Sequence, residues 1–406
     1  MQVKNVRQKM NEICHVDLCC GCEACANRCP KQCIEFSFDA EGFFVPRIHE
    51  DQCVDCGLCR QVCPMLNSSR FKKEPVGVFA SFALDEKIRC ASSSGGIFSL
   101  LADKIITDGG IVNGTVFDEE FICRHNLTDN QNELEKFRGS KYVQSRTGFI
   151  YREIKGILKS GKKVLFTGTP CQVAGLYSYL GKEYETLFTC DLVCHGVPAP
   201  KFLQKYIKDI SAKYSSSKIK NIGFRKLNGW GKQTTIYYED NIQLVSGEDD
   251  YYSTAFFDRK VQRYCCYNCP YATHFRIGDI TLGDFWGLGL YKRFKEKMDK
   301  GVSLVLINSP KGQQLLDAIK TEIYLEKRPW SEAIRQNHSL QHPIIMYINR
   351  HSFYSDYYRL SKKKFMKEHY QLKIQNILMK NLFLPYRMLR KVLRFFIRQV
   401  NHTQWG

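Results

Sequence analysis

Eight of the chain's nineteen cysteines fall in two runs of one form. Cys19, Cys22, Cys25 and Cys29 precede Pro30. Cys53, Cys56, Cys59 and Cys63 precede Pro64, so every member recurs 34 residues later. Three cysteines this close in sequence can take three corners of one iron–sulfur cube. The fourth, set before a proline that turns the chain away, reaches the other cube. The spacing therefore predicts two [4Fe–4S] clusters, one on Cys19, Cys22, Cys25 and Cys63 and the other on Cys53, Cys56, Cys59 and Cys29. Structural zinc would call for two well-separated pairs rather than four cysteines in eleven residues, twice over. Gly21 and Gly57 would let the backbone pass close to sulfide, which needs N–H donors. Cys20 and Cys33 stand outside the register and read as non-ligands.

Four more cysteines lie where a fold could bring them together. Cys171 sits in a tight turn, Thr167-Gly-Thr-Pro-Cys-Gln172, between a strand-like and a helix-like segment. Cys194 follows another strand-like run in Asp191-Leu-Val-Cys-His195. Cys266 and Cys269 form a C-x2-C pair. The carboxyl ends of strands are where an α/β sheet gathers its sites, and two loop cysteines with a C-x2-C pair make four ligands for a third cluster. Inert buried thiols are the alternative. Cys190 and Cys265 neighbour the proposed ligands and stay open as substitutes for Cys194 and Cys266. Cys14, Cys90 and Cys123 have no motif around them and read as structural.

The elements that would position these cysteines can be read along the 406 residues. Between the two runs, Cys33–Ile48 alternates loosely about the Asp39–Gly42 turn and predicts a hairpin over the clusters. Asn67–Pro75 is polar and reads as a linker. Strands are then predicted at Gly77–Leu84, Ile111–Phe117, Val164–Thr167, Leu187–Val193 and Ser303–Ile307. Helices are predicted at Ser94–Asp108, Phe149–Lys159, Cys171–Leu180, Pro198–Tyr214 and Pro310–Ile323. Such alternation predicts an α/β domain. Ile219–Phe257, rich in β-branched and aromatic residues, reads as an antiparallel insertion. Met1–Asp17 has no apolar core of the signal-peptide kind, and no run of eighteen uncharged apolar residues occurs. A cytoplasmic setting is expected, where many cysteines mean metal or redox chemistry rather than disulfides.

Six ordered segments resemble the family of coenzyme F420 hydrogenase/dehydrogenase β subunits. They are Ser92-Ser-Ser-Gly-Gly96, Gly139-Ser-Lys-Tyr-Val-Gln-Ser145, Gly168-Thr-Pro-Cys-Gln172, Cys194-His-Gly-Val-Pro198, Cys266-Tyr-Asn-Cys-Pro270 and Gly278–Gly287. With the N-terminal repeat, the likeness runs over roughly residues 10–325. It looks most like the bacterial members associated with polysaccharide synthesis.

The resemblance implies an FAD-binding α/β domain with its own [4Fe–4S] cluster, in which the flavin exchanges hydride with a small-molecule substrate; some members act on coenzyme F420. The fold expected is an α+β ferredoxin-like module (1–68), a linker (69–76), an α/β flavin-binding and iron–sulfur domain (77–335) and a helical basic tail (336–406). Under the same resemblance Ser92, Ser93 and Ser94 would cap a helix. Gly95 and Gly96, with Gly168 and Thr169, would admit the flavin pyrophosphate. Lys141 would set positive charge by the flavin ring. His195 would relay a proton or hydrogen-bond cluster sulfide. Asp279, Asp284 and Trp286 would close the site. Electrons would pass to or from a soluble partner protein. The alternative is a non-catalytic electron-transfer subunit of a larger redox or polysaccharide-synthesis assembly.

The net charge of +19 is uneven. Arg359–Val400 holds twelve Lys/Arg against Glu368 alone and so carries +11 of it. The body is only mildly basic, and no nucleic-acid partner is expected. Across Pro385–Val400, Arg387, Arg390, Lys391, Arg394 and Arg398 share one helical face, and Leu389, Val392, Leu393, Phe396, Ile397 and Val400 the other. That division suits a helix on an anionic membrane surface, at the inner face of the membrane, or one docked on the body or on a partner protein with its basic face in water.

Overall fold

The computed structural model describes residues 12–214, 217–226 and 230–370. The predicted amphipathic helix at Pro385–Val400 lies outside them. The chain divides into two compact units after Arg350.

In the first unit the cysteine runs fold as a repeat. Short helices at Ala24–Arg28 and Leu58–Gln61 stand 34 residues apart. The left-handed backbone positions repeat with them: Gly21 (φ 69°) matches Asp55 (φ 52°), and Glu23 (φ 58°) matches Gly57 (φ 72°). Each run thus turns twice through a conformation that favours glycine, which curls its cysteines inward. Strands β1 (Ile34–Phe38) and β2 (Phe44–Ile48) form the predicted hairpin, pairing antiparallel with Phe38 opposite Phe44.

The body is built on a nine-stranded sheet. Its strands are β3 (Gly77–Ala83), β4 (Ile111–Phe117), β5 (Cys123–Thr128), β6 (Ser145–Arg146), β7 (Val164–Gly168), β8 (Leu187–Leu192), β12 (Ile280–Asp284), β13 (Ser303–Ile307) and β14 (Ile323–Lys327). The order is β14-β3-β13-β12-β8-β7-β4-β5-β6. The central β12-β8-β7-β4 stretch is parallel, and antiparallel pairs flank it. The sheet is therefore mixed, with β5, β6, β12 and β14 beyond the strands predicted.

Both faces are covered, as a parallel sheet requires. Leu165 points to one side, against the Ile97–Thr107 and Pro310–Ala318 helices. Val164 and Phe166 point to the other, against the helices Ile150–Lys159 and Pro170–Leu180. Cys22, Ala24 and Val62 of the cysteine repeat belong to this second core. A three-stranded antiparallel sheet of β9 (Ile219–Arg225), β10 (Lys232–Tyr238) and β11 (Ile242–Val245) forms the insertion.

Two predicted spans end differently. The helix from Pro310 stops at Ala318, and Ile323 starts β14. Tyr251–Phe257 is helical rather than extended. The segment read as a linker is laced to the body. Lys73 and Arg276 exchange backbone hydrogen bonds, the Lys73 ammonium pairs with Asp279 at 2.9 Å, and Phe71 packs on Tyr177.

In the second unit, considered by itself, Phe353 packs on Phe365, and His369 Nε2 lies 3.0 Å from Asp356 Oδ2.

Candidate iron–sulfur centres

The cysteines gather at three places. At the first, Cys19, Cys22, Cys25 and Cys63 are all buried. Cys14 lies within hydrogen-bonding reach of the Cys19 and Cys63 sulfurs and holds their thiols down, to about 6 and about 7. At the second, Cys29 from the first run meets Cys53, Cys56 and Cys59 from the second around a pocket of about 360 Å³, with Cys33 beside them. The Cys29 and Cys33 sulfurs are 3.4 Å apart. Burial pushes the Cys29 thiol up, but hydrogen bonds from the Cys33 N–H and thiol and from the Lys31 and Gln32 N–H groups together more than offset it. The crossed pattern read from the spacing is thus the pattern in which the side chains meet.

The third place is a pocket of about 740 Å³, open water at its mouth included. Cys171 reaches it from the turn after β7, and Cys194 from the loop after β8. Both leave the carboxyl ends of adjacent parallel strands. Cys266 and Cys269 come from the Tyr264–Tyr267 helix and the turn beyond it. Cys20 and Cys265 line the same pocket, so six cysteines face it. Cys190 does not. It lies in β8 within the opposite core, its Sγ toward the Asp191 carbonyl. Of the open pair Cys190 and Cys194, the pocket takes Cys194; of Cys265 and Cys266 it takes both.

The surroundings fit anionic sulfur. Gly196 N–H donates to the Cys194 sulfur at 3.4 Å. Arg263, 4% exposed, lies between the first and third places. It donates to the carbonyls of Cys19 and Phe44, and the charges that stabilise it most are the Cys19, Cys265 and Cys20 sulfurs. A buried guanidinium is costly unless anions balance it, and these sulfurs, as thiolates, would supply that balance. Among the described residues, no three Cys, His, Asp or Glu side chains close tightly enough on one point to hold a single metal ion.

One carboxylate frames the third pocket. Asp191, at the end of β8, accepts from the backbone N–H groups of Ile277 and Gly278, from Thr281 Oγ1 and from Arg276. It ties the strand leading to Cys194 to the segment that follows Cys269. Spacing gave no sign of this, because Asp191 reads only as a polar residue near the end of the Leu187–Val193 strand.

His195 lines the pocket, with Nδ1 3.1 Å from Ser339 Oγ. Burial lowers its proton affinity. Behind the pocket, buried His125 contacts Asn113 Oδ1 (2.9 Å) and Ser145 Oγ (3.3 Å), and burial holds its imidazole down to about 4. The unfolded chain therefore takes up a proton near the ordinary value of about 6.5 that the folded chain refuses. Stability is expected to be full above that value and to fall as the pH drops toward 4, by at most about 1.4 kcal/mol per pH unit. Denaturant titrations at pH 7.5 and 5.5 should show a smaller loss for His125→Gln than for the wild type.

The residues named for a flavin lie elsewhere or are already engaged. Ser92 Oγ donates to the Ile88 carbonyl, Ser93 Oγ accepts from Ser140 N–H, and Ser94 Oγ donates to the Val302 carbonyl. The serines thus do not cap the following helix. Its first residue, Ile97, follows Gly96 (φ 87°), which supplies no side-chain cap. Gly95 N–H donates to Ser303 Oγ. Lys141 gives its ammonium to the carbonyls of Lys136, Arg138 and Gly139. Thr169 forms a capping box with Gln172 just after Gly168. Asp279 accepts from Thr189, Lys73 and Ser309. Asp284 binds Arg225 and Trp230, and Trp230 stacks on Trp286.

This is the constellation of an iron–sulfur electron-transfer protein of oxidoreductase type. Residues 18–66 match the 4Fe–4S dicluster domain model. Residues 161–333 match the model of the C-terminal region of the coenzyme F420 hydrogenase/dehydrogenase β subunit. The chain thus carries, behind a dicluster domain, a segment that matches the C-terminal domain of that family.

One subunit of the F(420)H(2) dehydrogenase of Methanosarcina mazei is 21% identical over 337 residues, which is 79% of this chain and 88% of that one. The coenzyme F420-dependent sulfite reductase of Methanocaldococcus jannaschii is 22% identical over 77% of this chain, which spans about half (47%) of that protein's length. A chain of the F420-reducing [NiFe] hydrogenase complex from Methanosarcina barkeri aligns over 66% of this chain and 89% of its own, with 19% identity and a TM-score of 0.45. No helix among the described residues is long and apolar enough to cross a membrane.

Proposed function

We propose that the chain passes electrons through three [4Fe–4S] clusters, held by Cys19, Cys22, Cys25 and Cys63; by Cys29, Cys53, Cys56 and Cys59; and by Cys171, Cys194, Cys266 and Cys269. The observation that carries the reading is the convergence of the last four on one pocket that also takes in Cys20 of the N-terminal repeat. Each cluster, when bound, takes or gives one electron. The chain's own groups set the terms. Arg263 balances thiolate charge between the first and third places, and Gly196 donates to a ligand sulfur. Cys56, exposed at the second place, offers a soluble partner protein its point of approach.

A flavin is the finer part of the proposal. The serine hydroxyls and Lys141 are spent within the protein, and as arranged they do not fit a pyrophosphate. What favours an anionic group here is the helix start at Gly96, which no side chain caps, together with Arg225. The Arg225 side chain is 8% exposed, donates to the Ser93 carbonyl and to Asp284, and has an Nε with no hydrogen-bond partner. An FAD there would supply two-electron exchange with a small molecule, coenzyme F420 being one candidate.

Protein purified without oxygen should contain about twelve irons per chain, four per cube, with one FAD if the finer part holds. About eight irons would overturn the third centre. Twelve irons without flavin would leave a relay between larger partners.

A further inference from the structure

Cys20 was set aside by its spacing, yet its position is distinctive. It lies between Cys19 and Cys22, both proposed to hold the first cluster, and it also lines the pocket of the third. It packs in one core with Cys22, Cys171 and Cys269. It faces the same pocket as Cys171 and packs in the same core as Cys22, so its sulfur stands between ligands proposed for two centres. The two places are pressed together here: a Cβ added at Gly175, one turn beyond Cys171 on the same helix, would stand 3.1 Å from the Cys22 sulfur. No motif requires a cysteine at position 20, and an alanine would fill the core without a polar atom.

We infer that Cys20 is a positioning residue joining the first and third centres, its thiol placed to donate a hydrogen bond to the ligand sulfurs Cys22 and Cys171 that flank it. The inference rests on the three-cluster reading. Donation to a ligand sulfur draws off negative charge and so favours the more negative, reduced cluster. Cys20 therefore raises the potentials of the two centres it touches and leaves the second, around Cys29 and Cys53, unaffected. It also gives electrons a sulfur-to-sulfur path from Cys171 to Cys22.

The test is a redox titration of the full chain followed by electron paramagnetic resonance, with iron counted on the same samples. Cys20→Ala should keep the wild-type iron content while two of three midpoint potentials fall and one stays. Cys20→Ser, which keeps a donor, should restore them at least in part. A loss of about four irons per chain in Cys20→Ala would overturn the inference by making Cys20 a ligand. Unmoved midpoints, or an equal fall in the alanine and serine variants, would overturn it as well. Failure of the underlying reading is seen separately, in the wild type, as about eight irons before any variant is made.

Discussion

Cys171→Ser is expected to lower the iron content of anaerobically purified protein by about four atoms per chain, from about twelve to about eight, while the N-terminal centres keep theirs. Cys171 is the second residue of the Pro170–Leu180 helix, fixed by the capping box of Thr169 and Gln172 at the end of β7. Serine preserves that helix start and its packing but offers a hard oxygen where iron wants a soft thiolate. The loss should be confined to one cluster, because neither other place draws a ligand from this helix. Iron and sulfide analysis with paramagnetic resonance of the reduced protein reads it directly. An unchanged iron count would show that Cys20 or Cys265 can replace Cys171, or that the pocket holds no cluster.

Asp191→Ala should be the most damaging substitution outside the cysteines. Its carboxylate is fully buried, its partner Arg276 is 1% exposed, and no second carboxylate hydrogen-bonds that guanidinium among the described residues. Removing one member of such a pair leaves an uncompensated buried charge and costs about 3–5 kcal/mol. Two backbone N–H groups, of Ile277 and Gly278, lose their acceptor at the same time. The damage is placed where β8 meets the segment behind Cys269, so the third centre should be lost under milder denaturant than the first two. Denaturant titration of the intact chain, following tertiary signal and cluster absorbance together, checks both parts. A shift of under about 1 kcal/mol would mean that water replaces the carboxylate at Arg276.

How far the sequence could be read depended on how local each signal was. The two cysteine runs repeat within themselves, so which of their side chains would gather, across the two runs, was legible. Cys171 and Cys194 followed recognisable strands, and the parallel order of β7 and β8 then set them side by side. The extra thiols were not legible. Cys14, Cys20 and Cys33 differ from inert cysteines only in what approaches them, and spacing carries none of that. The same limit applied to Asp191, whose partners lie 85 residues and more away.

Among the elements, β5 reads Cys-Arg-His-Asn-Leu-Thr and hides a half-buried strand under polar residues. Ile319 and Ile323 kept helical spacing across a helix that had already ended. In Tyr251–Phe257 the aromatic residues suggested extension, but burial of Tyr251, Tyr252, Ala255 and Phe256 follows a helical face. The serines of Ser92–Ser94 looked like caps, yet each hydroxyl found another partner.

The shared core of the N-terminal repeat and the body has a mechanical consequence. Glu23 pairs with Arg146, Arg152 gathers the carbonyls of Ala26, Asn27 and Cys29, and Tyr271 donates to the Pro64 carbonyl. With Cys22, Ala24 and Val62 packed among the body's helices, the repeat is no swinging carrier on a tether. The gaps that electrons would cross are set by that packing, so the rate of internal transfer should not depend on solvent viscosity, and any gating would fall to a partner docked outside.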